Sequence, residues 1–324
     1  MILGDNYITY LKKLKKDELI NIINDYNSLR EIYGGIKIET KNAKKDKLIE
    51  DITEIQNTYF KYVIMSLDLE DYNILKELIL KKINNDYLLE NRVFLNYLIS
   101  KCILIQEQDL IIPKDTKVLI SNLLKDKEVI TYIKKWDRIY KLVDGVIIAY
   151  GVVDRKYFDI IISGILDKEL IIPKMNYYYK KEYKIDNKKI ISTKLSNKKR
   201  IDSYLKNKKY KYFTNKDYTL LGNSMYHHNI KSYKKFIKML KSNYVFRNKD
   251  IEFVDKFIVI PYLYNSLNEE EVAKENLEET VTKYFEFKGD KLKTKMLSEI
   301  MKIRDEFPLW EYRGFSKMEE KNEE

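Results

Sequence analysis

Apolar residues recur at three- and four-residue intervals along most of this chain, the spacing that turns one side of an α-helix toward a core. Tyr10, Leu11, Leu14, Leu19, Ile22 and Ile23 set the phase of two short helices around a turn, with Asp17 and Glu18 near the start of the second. Gly34-Gly35 interrupts the pattern, Ile36 to Ile38 reads as extended, and Thr40 to Ala43 leads into an amphipathic helix with Leu48, Ile49 and Ile52 inward. Phe60, Val63, Ile64 and Leu67 predict amphipathic helix, as do Leu69, Tyr72, Leu75, Leu78 and Ile79, and Leu88 to Ile99 predicts another. Two short strands follow, Cys102 to Gln106 and Leu110 to Pro113, around an acidic turn at Glu107 to Asp109.

The segment Leu110-Ile-Ile-Pro-Lys114 returns as Leu170-Ile-Ile-Pro-Lys174. Each copy follows an acid (Asp109, Glu169) and a helix-like run, Val93 to Ile99 and Tyr157 to Ile162. A proline fits the end or edge of a strand, because it donates no ladder hydrogen bond. The repeat predicts two related helix–hairpin units in tandem, of winged-helix type, or simply two strands of one sheet core.

Lys174 to Tyr218 has no clear period. Asn187 to Lys189 and Ser196 to Arg200 read as exposed turns, Tyr210 to Phe213 as a short strand, and Thr214 as the cap of a helix from Asn215. Tyr233, Phe236, Ile237 and Leu240 restore the helical phase. An apolar block from Phe253 to Tyr262 ends at Pro261, and Glu269 to Phe287 and Leu292 to Glu306 are helical. The expected fold is mostly α with small β-hairpins (α+β). Residues 1–56 form a helix–extended–helix module, 57–174 a tandem winged-helix-like region, 175–318 a basic Tyr-rich segment and C-terminal helical domain, and 319–324 a charged tail.

Charge changes this picture most. The chain carries 61 Lys+Arg against 50 Asp+Glu, yet the stretch Lys174 to Lys249 alone holds 22 against 4, leaving 39 against 46 elsewhere. Tyr177, Tyr178, Tyr179, Tyr183, Tyr204, Tyr210, Tyr212 and Tyr218 are interleaved with those cations. Ammonium groups neutralise phosphates and ring faces stack on bases, so this composition is that of a nucleic-acid surface. The scarcity of arginine removes most bidentate base readers.

The front of the chain, "LKKDELINII…GIKIET…KKDKLIEDI", resembles the helix–extended–helix modules of the Rho N-terminal and SAP-like type. That resemblance places Lys41, Lys44, Lys45 and Lys47 where such modules meet nucleic acid; the same spacing also fits an ordinary helical hairpin with a solvated lysine face. The ending "IRDEFPLWEYRGFSKMEEKN" resembles the region preceding the SEC-C zinc motif in a family of uncharacterised Firmicutes proteins, through Pro308, Trp310, Gly314, Ser316 and Glu319. Ala149-Tyr150-Gly151-Val152 and "KYKYFTNKDY" match further stretches of that family. The Cys/His cluster of the SEC-C motif is absent here, so the resemblance implies an architecture rather than an activity.

Other chemistry finds little footing. Cys102 is the one cysteine and lies in an apolar run, which excludes an intramolecular disulfide and a thiolate zinc cluster and reads as an inert thiol. The only histidines, His227 and His228, are adjacent, and neighbours on a helix or strand do not face one metal; no metal site is expected. Walker and Gly-x-Gly-x-x-Gly loops are missing, so no nucleotide cofactor is expected. The acids around Asp68 to Asp71 read as caps, and no catalytic residue is assigned. Trp136 and Trp310 read as core anchors, the latter as a C-terminal lock. The first ten residues lack the charged front and apolar core of a signal peptide, and no apolar run approaches membrane-spanning length, so a cytoplasmic protein is expected.

The expected function is non-enzymatic binding of DNA or RNA, in a regulatory or mobile-element role. Lys198, Lys199, Arg200, Lys208, Lys209 and Lys211, with the front lysines, would hold phosphates, and Tyr210 and Tyr212 would stack on bases. The alternative is a protein–protein interaction adaptor or an abortive-infection or antitoxin-like protein whose basic stretch meets an acidic partner.

Overall fold

The computed structural model describes residues 2–80, 90–178, 180–195, 209–244, 247–267, 270–287 and 289–320. Their secondary structure is mostly helical with two small three-stranded sheets, as the hydrophobic phase predicts. None of these helices is long and apolar enough to cross a membrane. The chain forms two compact units, Met1–Ile139 with Leu166–Lys181, and Tyr140–Ile165 with Glu182–Glu324.

In the first unit, α1 (Tyr7–Lys13) and α2 (Lys16–Tyr33) precede the expected break at Gly34-Gly35. The Lys15 N–H at the start of α2 donates to the Glu18 carboxylate at 2.6 Å, which satisfies one of the groups a helix start leaves without a partner. The following stretch is held extended by Asn27, which donates to the carbonyl of Ile38 at 2.8 Å and accepts from its N–H at 3.0 Å, as a neighbouring strand would.

Helix α3 (Lys45–Met65) then runs without interruption through the boundary expected at residue 56. With α4 (Leu69–Leu80), α5 (Arg92–Ser100) and α6 (Lys114–Leu123) it shares one core, in which Leu19, Leu48, Phe60, Leu75, Leu98 and Ile120 are buried. The front module is therefore part of a larger core rather than a separate body.

The first sheet contains the expected hairpin. Strand β3 (Leu110–Pro113) pairs antiparallel with β2 (Ile105–Gln106) and parallel with β1 (Ile2–Gly4), placing Ile111 beside Ile105 and Ile2. The second copy of the repeated segment does not form a strand. Lys168–Leu170 is a 3-10 turn that leads into α9 (Ile171–Tyr177), so the boundary expected at residue 174 also falls inside a helix. Pro173 lies in the first turn of that helix, where its missing N–H costs no hydrogen bond.

Lys174, counted in the basic stretch, is 2% exposed. Its ammonium lies 4.4, 4.5 and 4.8 Å from the ring centroids of Tyr33, Trp136 and Tyr132 and donates to the Tyr33 hydroxyl. Burial pulls its pKa well below the ordinary lysine value, and the charge of Lys135 pulls it the same way. Another polar knot lies at Asp25, which takes an ion pair from Lys101 at 2.6 Å and hydroxyl hydrogen bonds from Tyr59 and Tyr177.

Helix α7 (Lys127–Tyr150) belongs to the first unit up to Ile139 and to the second from Tyr140. The second sheet is antiparallel throughout, with β6 (Lys189–Ser192) between β4 (Val152–Asp154) and β5 (Tyr183–Ile185). Asp186 shapes its hairpin turn by accepting the N–H groups of Lys188 and Lys189 at 2.7 Å each. Short α8 (Arg155–Ile161) follows β4. Tyr210 to Phe213, expected as a strand, is in neither sheet. Thr214 does cap α10 (Asn215–Gly222): its Oγ1 accepts the Asp217 N–H at 3.2 Å.

Helix α11 (Lys231–Asn243) packs against α15 (Asp290–Asp305), and Phe236 and Leu240 of the one and Met296 and Ile300 of the other are buried. Pro261 does not end the apolar block before it. α12 (Asn248–Val254) widens into a π turn at Asp255–Val259 and continues as α13 (Ile260–Ser266), which packs on α14 (Glu270–Tyr284). Trp310 locks the C-terminal segment as expected: it is 3% exposed and its indole N–H donates to the Ile148 carbonyl at 2.8 Å.

Candidate functional site

The structure describes eight of the twelve sequence-derived site residues. Lys198, Lys199, Arg200 and Lys208 lie outside the described residues. Lys41 and Lys44 are exposed. Lys45 donates to the Lys12 carbonyl at 2.8 Å, and Lys47 reaches Glu50 at 3.1 Å and Asp51 at 3.0 Å, so both are engaged within the fold. Lys209 is exposed, whereas Lys211 meets both carboxylate oxygens of Glu319, at 2.6 and 2.8 Å. The Tyr210 ring is stacked on Tyr157 with centroids 4.2 Å apart, the Arg313 guanidinium lies 4.4 Å from its centre, and its hydroxyl donates to Asp154. Tyr210 is thus a packing residue, not a free stacking platform; Tyr212, 81% exposed, is free.

Other described tyrosines of the basic stretch are also taken up by the fold. Tyr178, Tyr183 and Tyr218 are buried, and the Tyr178 hydroxyl donates to Asp68. Lys174, Lys180 and Lys181 belong to the first unit and the segment from Glu182 to the second. Lys180 is held by Asp71 at 2.8 Å, Asp68 at 3.3 Å and Glu70 at 3.4 Å.

Among the described residues, a row of cations lies along α11. Lys231, Lys234, Lys235, Lys238 and Lys241 are all exposed, at spacings of three, four, seven and ten residues from the first, while Tyr233, Phe236, Met239 and Leu240 face inward. Ten residues of α-helix span about 15 Å. Among the described residues none of the five ammonium groups is in an ion pair, whereas Lys274 and Lys302 on neighbouring helices are paired with Glu270 and Glu299. Like charges at these spacings repel, and Lys231 sits at the end of the helix where the macrodipole disfavours a cation. Glu306 offsets part of that cost by accepting the Lys231 N–H at 3.1 Å and the Ser232 hydroxyl. The row of charge therefore lowers the stability of the helix that carries it.

Helix α11 ends at a cleft of about 780 Å³. Ser242 and Asn243, its last residues, form one wall, and Tyr244, Phe253, Tyr284, Phe285 and Phe287 supply aromatic surface. Phe253 and Tyr284 are 40% and 41% exposed and meet edge to face at 5.1 Å. Asp250 also lines the cleft, where the Arg247 backbone N–H donates to its carboxylate at 2.7 Å and helps hold its pKa low.

A second constellation lies just before α11. The two histidines occupy a 3-10 turn, Tyr226–Asn229, rather than a regular helix or strand, and both rings reach one carboxylate. His228 Nε2 is 2.8 Å and His227 Nε2 3.4 Å from the two oxygens of Asp255, the first residue of the π turn. The Tyr233 hydroxyl is within 2.8 and 2.9 Å of those same oxygens. Burial pushes the Asp255 pKa up, but the two imidazoles beside it prevail and hold it below the usual carboxylate value. Adjacency in sequence argued against a shared partner; turn geometry reverses that.

Cys102 fits the inert role expected of it, its thiol pushed up to about 11 chiefly by burial. No protein-family model matches the chain, and neither the curated proteins nor the solved structures contain a match to it.

Proposed function

We propose that this protein binds single-stranded nucleic acid without catalysis, in the cytoplasm, with the exposed face of α11 along the phosphate backbone and the aromatic cleft at its end receiving bases. The observation that carries this reading is the row of five exposed lysines on one helix face, none in an ion pair among the described residues. Ammonium groups so arranged are costly to the helix alone and are relieved by a polyanion. The exposed rings of Phe253 and Tyr284 add sequence-tolerant stacking surface, which a duplex with its bases already stacked cannot use.

Fluorescence anisotropy with labelled single-stranded DNA, single-stranded RNA and duplex DNA tests the proposal. Single strands bind more tightly than duplex at equal length. Five phosphate contacts to a single strand give a log–log salt slope near −3.5, or on the order of a hundredfold loss between 50 and 200 mM salt. Salt-insensitive binding, or none to any of the three, rejects the reading. Capture of an acidic protein that survives nuclease treatment would replace it with the adaptor alternative.

A further inference from the structure

We propose that His227, His228 and Asp255 form a binding site for one divalent transition-metal cation, zinc in particular. The three candidate ligand atoms, one from each side chain, lie within 4.8 Å of one another. Donors on a tetrahedral zinc with bonds near 2.0–2.1 Å stand roughly 3.4 Å apart. His228 Nε2 and His227 Nε2 stand 2.8 and 3.4 Å from different oxygens of Asp255, so both imidazoles already converge on the carboxylate and a modest adjustment brings the three donors to that spacing. Two imidazoles and one carboxylate suit zinc, cobalt or nickel, while magnesium and calcium prefer an all-oxygen shell.

A second observation points the same way. His227 is 1% exposed, yet among the described residues neither ring nitrogen makes a well-formed hydrogen bond, and Nε2 has only its 3.4 Å approach to the Asp255 carboxylate. A buried imidazole so weakly satisfied is costly, and Nε2, already aimed at the Asp255 carboxylate, gains a bond if a cation sits between them. The surroundings fit a ligand set as well. The Tyr233 hydroxyl donates to the carboxylate and fixes its orientation, the outer-shell role that raises metal affinity in known sites. Asp255 projects from a π turn, the kind of one-residue insertion that re-aims a side chain. The side chain of His228 is 41% exposed, so the site opens to solvent on that side and leaves a coordination position for water or an anionic ligand. This inference stands apart from the nucleic-acid reading, since no lysine of α11 takes part.

The test uses the intact chain, stripped of metal by chelation and titrated with zinc chloride and with cobalt chloride. One equivalent binds, and cobalt gives the visible absorption of a low-coordinate site. The chain has two histidines in all, so zinc must shift both imidazole resonances in the proton–nitrogen spectrum of the wild-type protein. His228→Ala removes a half-exposed ligand and weakens uptake by at least the ten- to hundredfold that loss of an outer-shell partner costs. His227→Gln does the same. Absence of one-to-one uptake, or imidazole resonances that stay in place as metal is added, overturns the proposal whether or not either variant folds. Uptake that persists unchanged in a folded His228→Ala protein overturns it too.

Discussion

The indole of Trp310 packs directly on Gly151, where an added β-carbon would stand 2.5 Å from ring atom Cδ2. Gly151 follows the last residue of α7 with φ of +64°, and the indole N–H donates to Ile148, one of the carbonyls a helix end leaves without an internal partner. Gly151→Ala meets both the left-handed backbone and the ring, and is expected to destabilise by about 2–4 kcal/mol. Trp310→Phe keeps most of the packing but strands the Ile148 carbonyl, at about 1–3 kcal/mol. Urea unfolding followed by circular dichroism checks both, and the Gly151 variant is expected to lose at least as much as the Phe variant.

Helices α7 and α10 cross at backbone contact. A β-carbon at Gly145 would lie 1.8 Å from the Tyr218 carbonyl oxygen, and one at Gly222 would lie 1.8 Å from that of Lys141. Backbone cannot swing aside as a side chain can, so Gly145→Ala separates the helices and costs about 3 kcal/mol or more. Gly164→Ala, with no atom within 4 Å of the added methyl, is the control and leaves the unfolding midpoint nearly unchanged.

Lys174 predicts an unusual response to pH. Its folded-state pKa is depressed, so between that value and the ordinary lysine value near 10.4 the unfolded chain binds the extra proton. Its contribution to stability therefore rises as pH rises through that window and falls as pH drops below it. Lys174→Met keeps the volume among Tyr33, Tyr132 and Trp136 and abolishes the proton difference. Unfolding free energies of wild type and variant, measured from about pH 7 to 9.5, should converge or cross in favour of wild type as pH increases. A constant gap between them contradicts the buried ammonium.

Lysines of α11 and of the front segment separate cleanly in a binding assay. Lys234→Gln with Lys238→Gln removes two phosphate contacts and reduces the magnitude of the single-strand salt slope by about 1.4. Lys47→Gln, whose ammonium is held by Glu50 and Asp51, leaves slope and affinity unchanged.

Helical phase was legible wherever apolar residues kept their spacing over several turns, as from Phe60 to Ile79, and so was the Thr214 cap. Local identity misled at the repeat. Leu110 to Pro113 is a strand because Ile2–Gly4 and Ile105–Gln106 lie on either side of it, while the same residues at 170–173 enter a helix. Strand formation depends on partners that a short segment does not contain.

The α11 lysines carried a helical signal in plain view, at 231, 234, 235, 238 and 241. Local density drew the expectation to 198–211 instead. Density says nothing about direction, and Lys211 and Tyr210 face partners inside the fold. Asp255 could not be joined to His227 and His228 from sequence, because the link needs both a 3-10 turn and a π turn, neither of which has a periodic signature.

The polypeptide threads its two bodies alternately, leaving the first after Ile139, rejoining it from Leu166 to Lys181, and departing again. On the ribosome the earlier body cannot finish until a stretch of the later one has been made, because the helix bearing Lys174 emerges after Tyr140–Ile165. Cutting the gene at any one point consequently yields no fragment holding all of either body and nothing else; an excised version of one would need its two pieces spliced by a new connection.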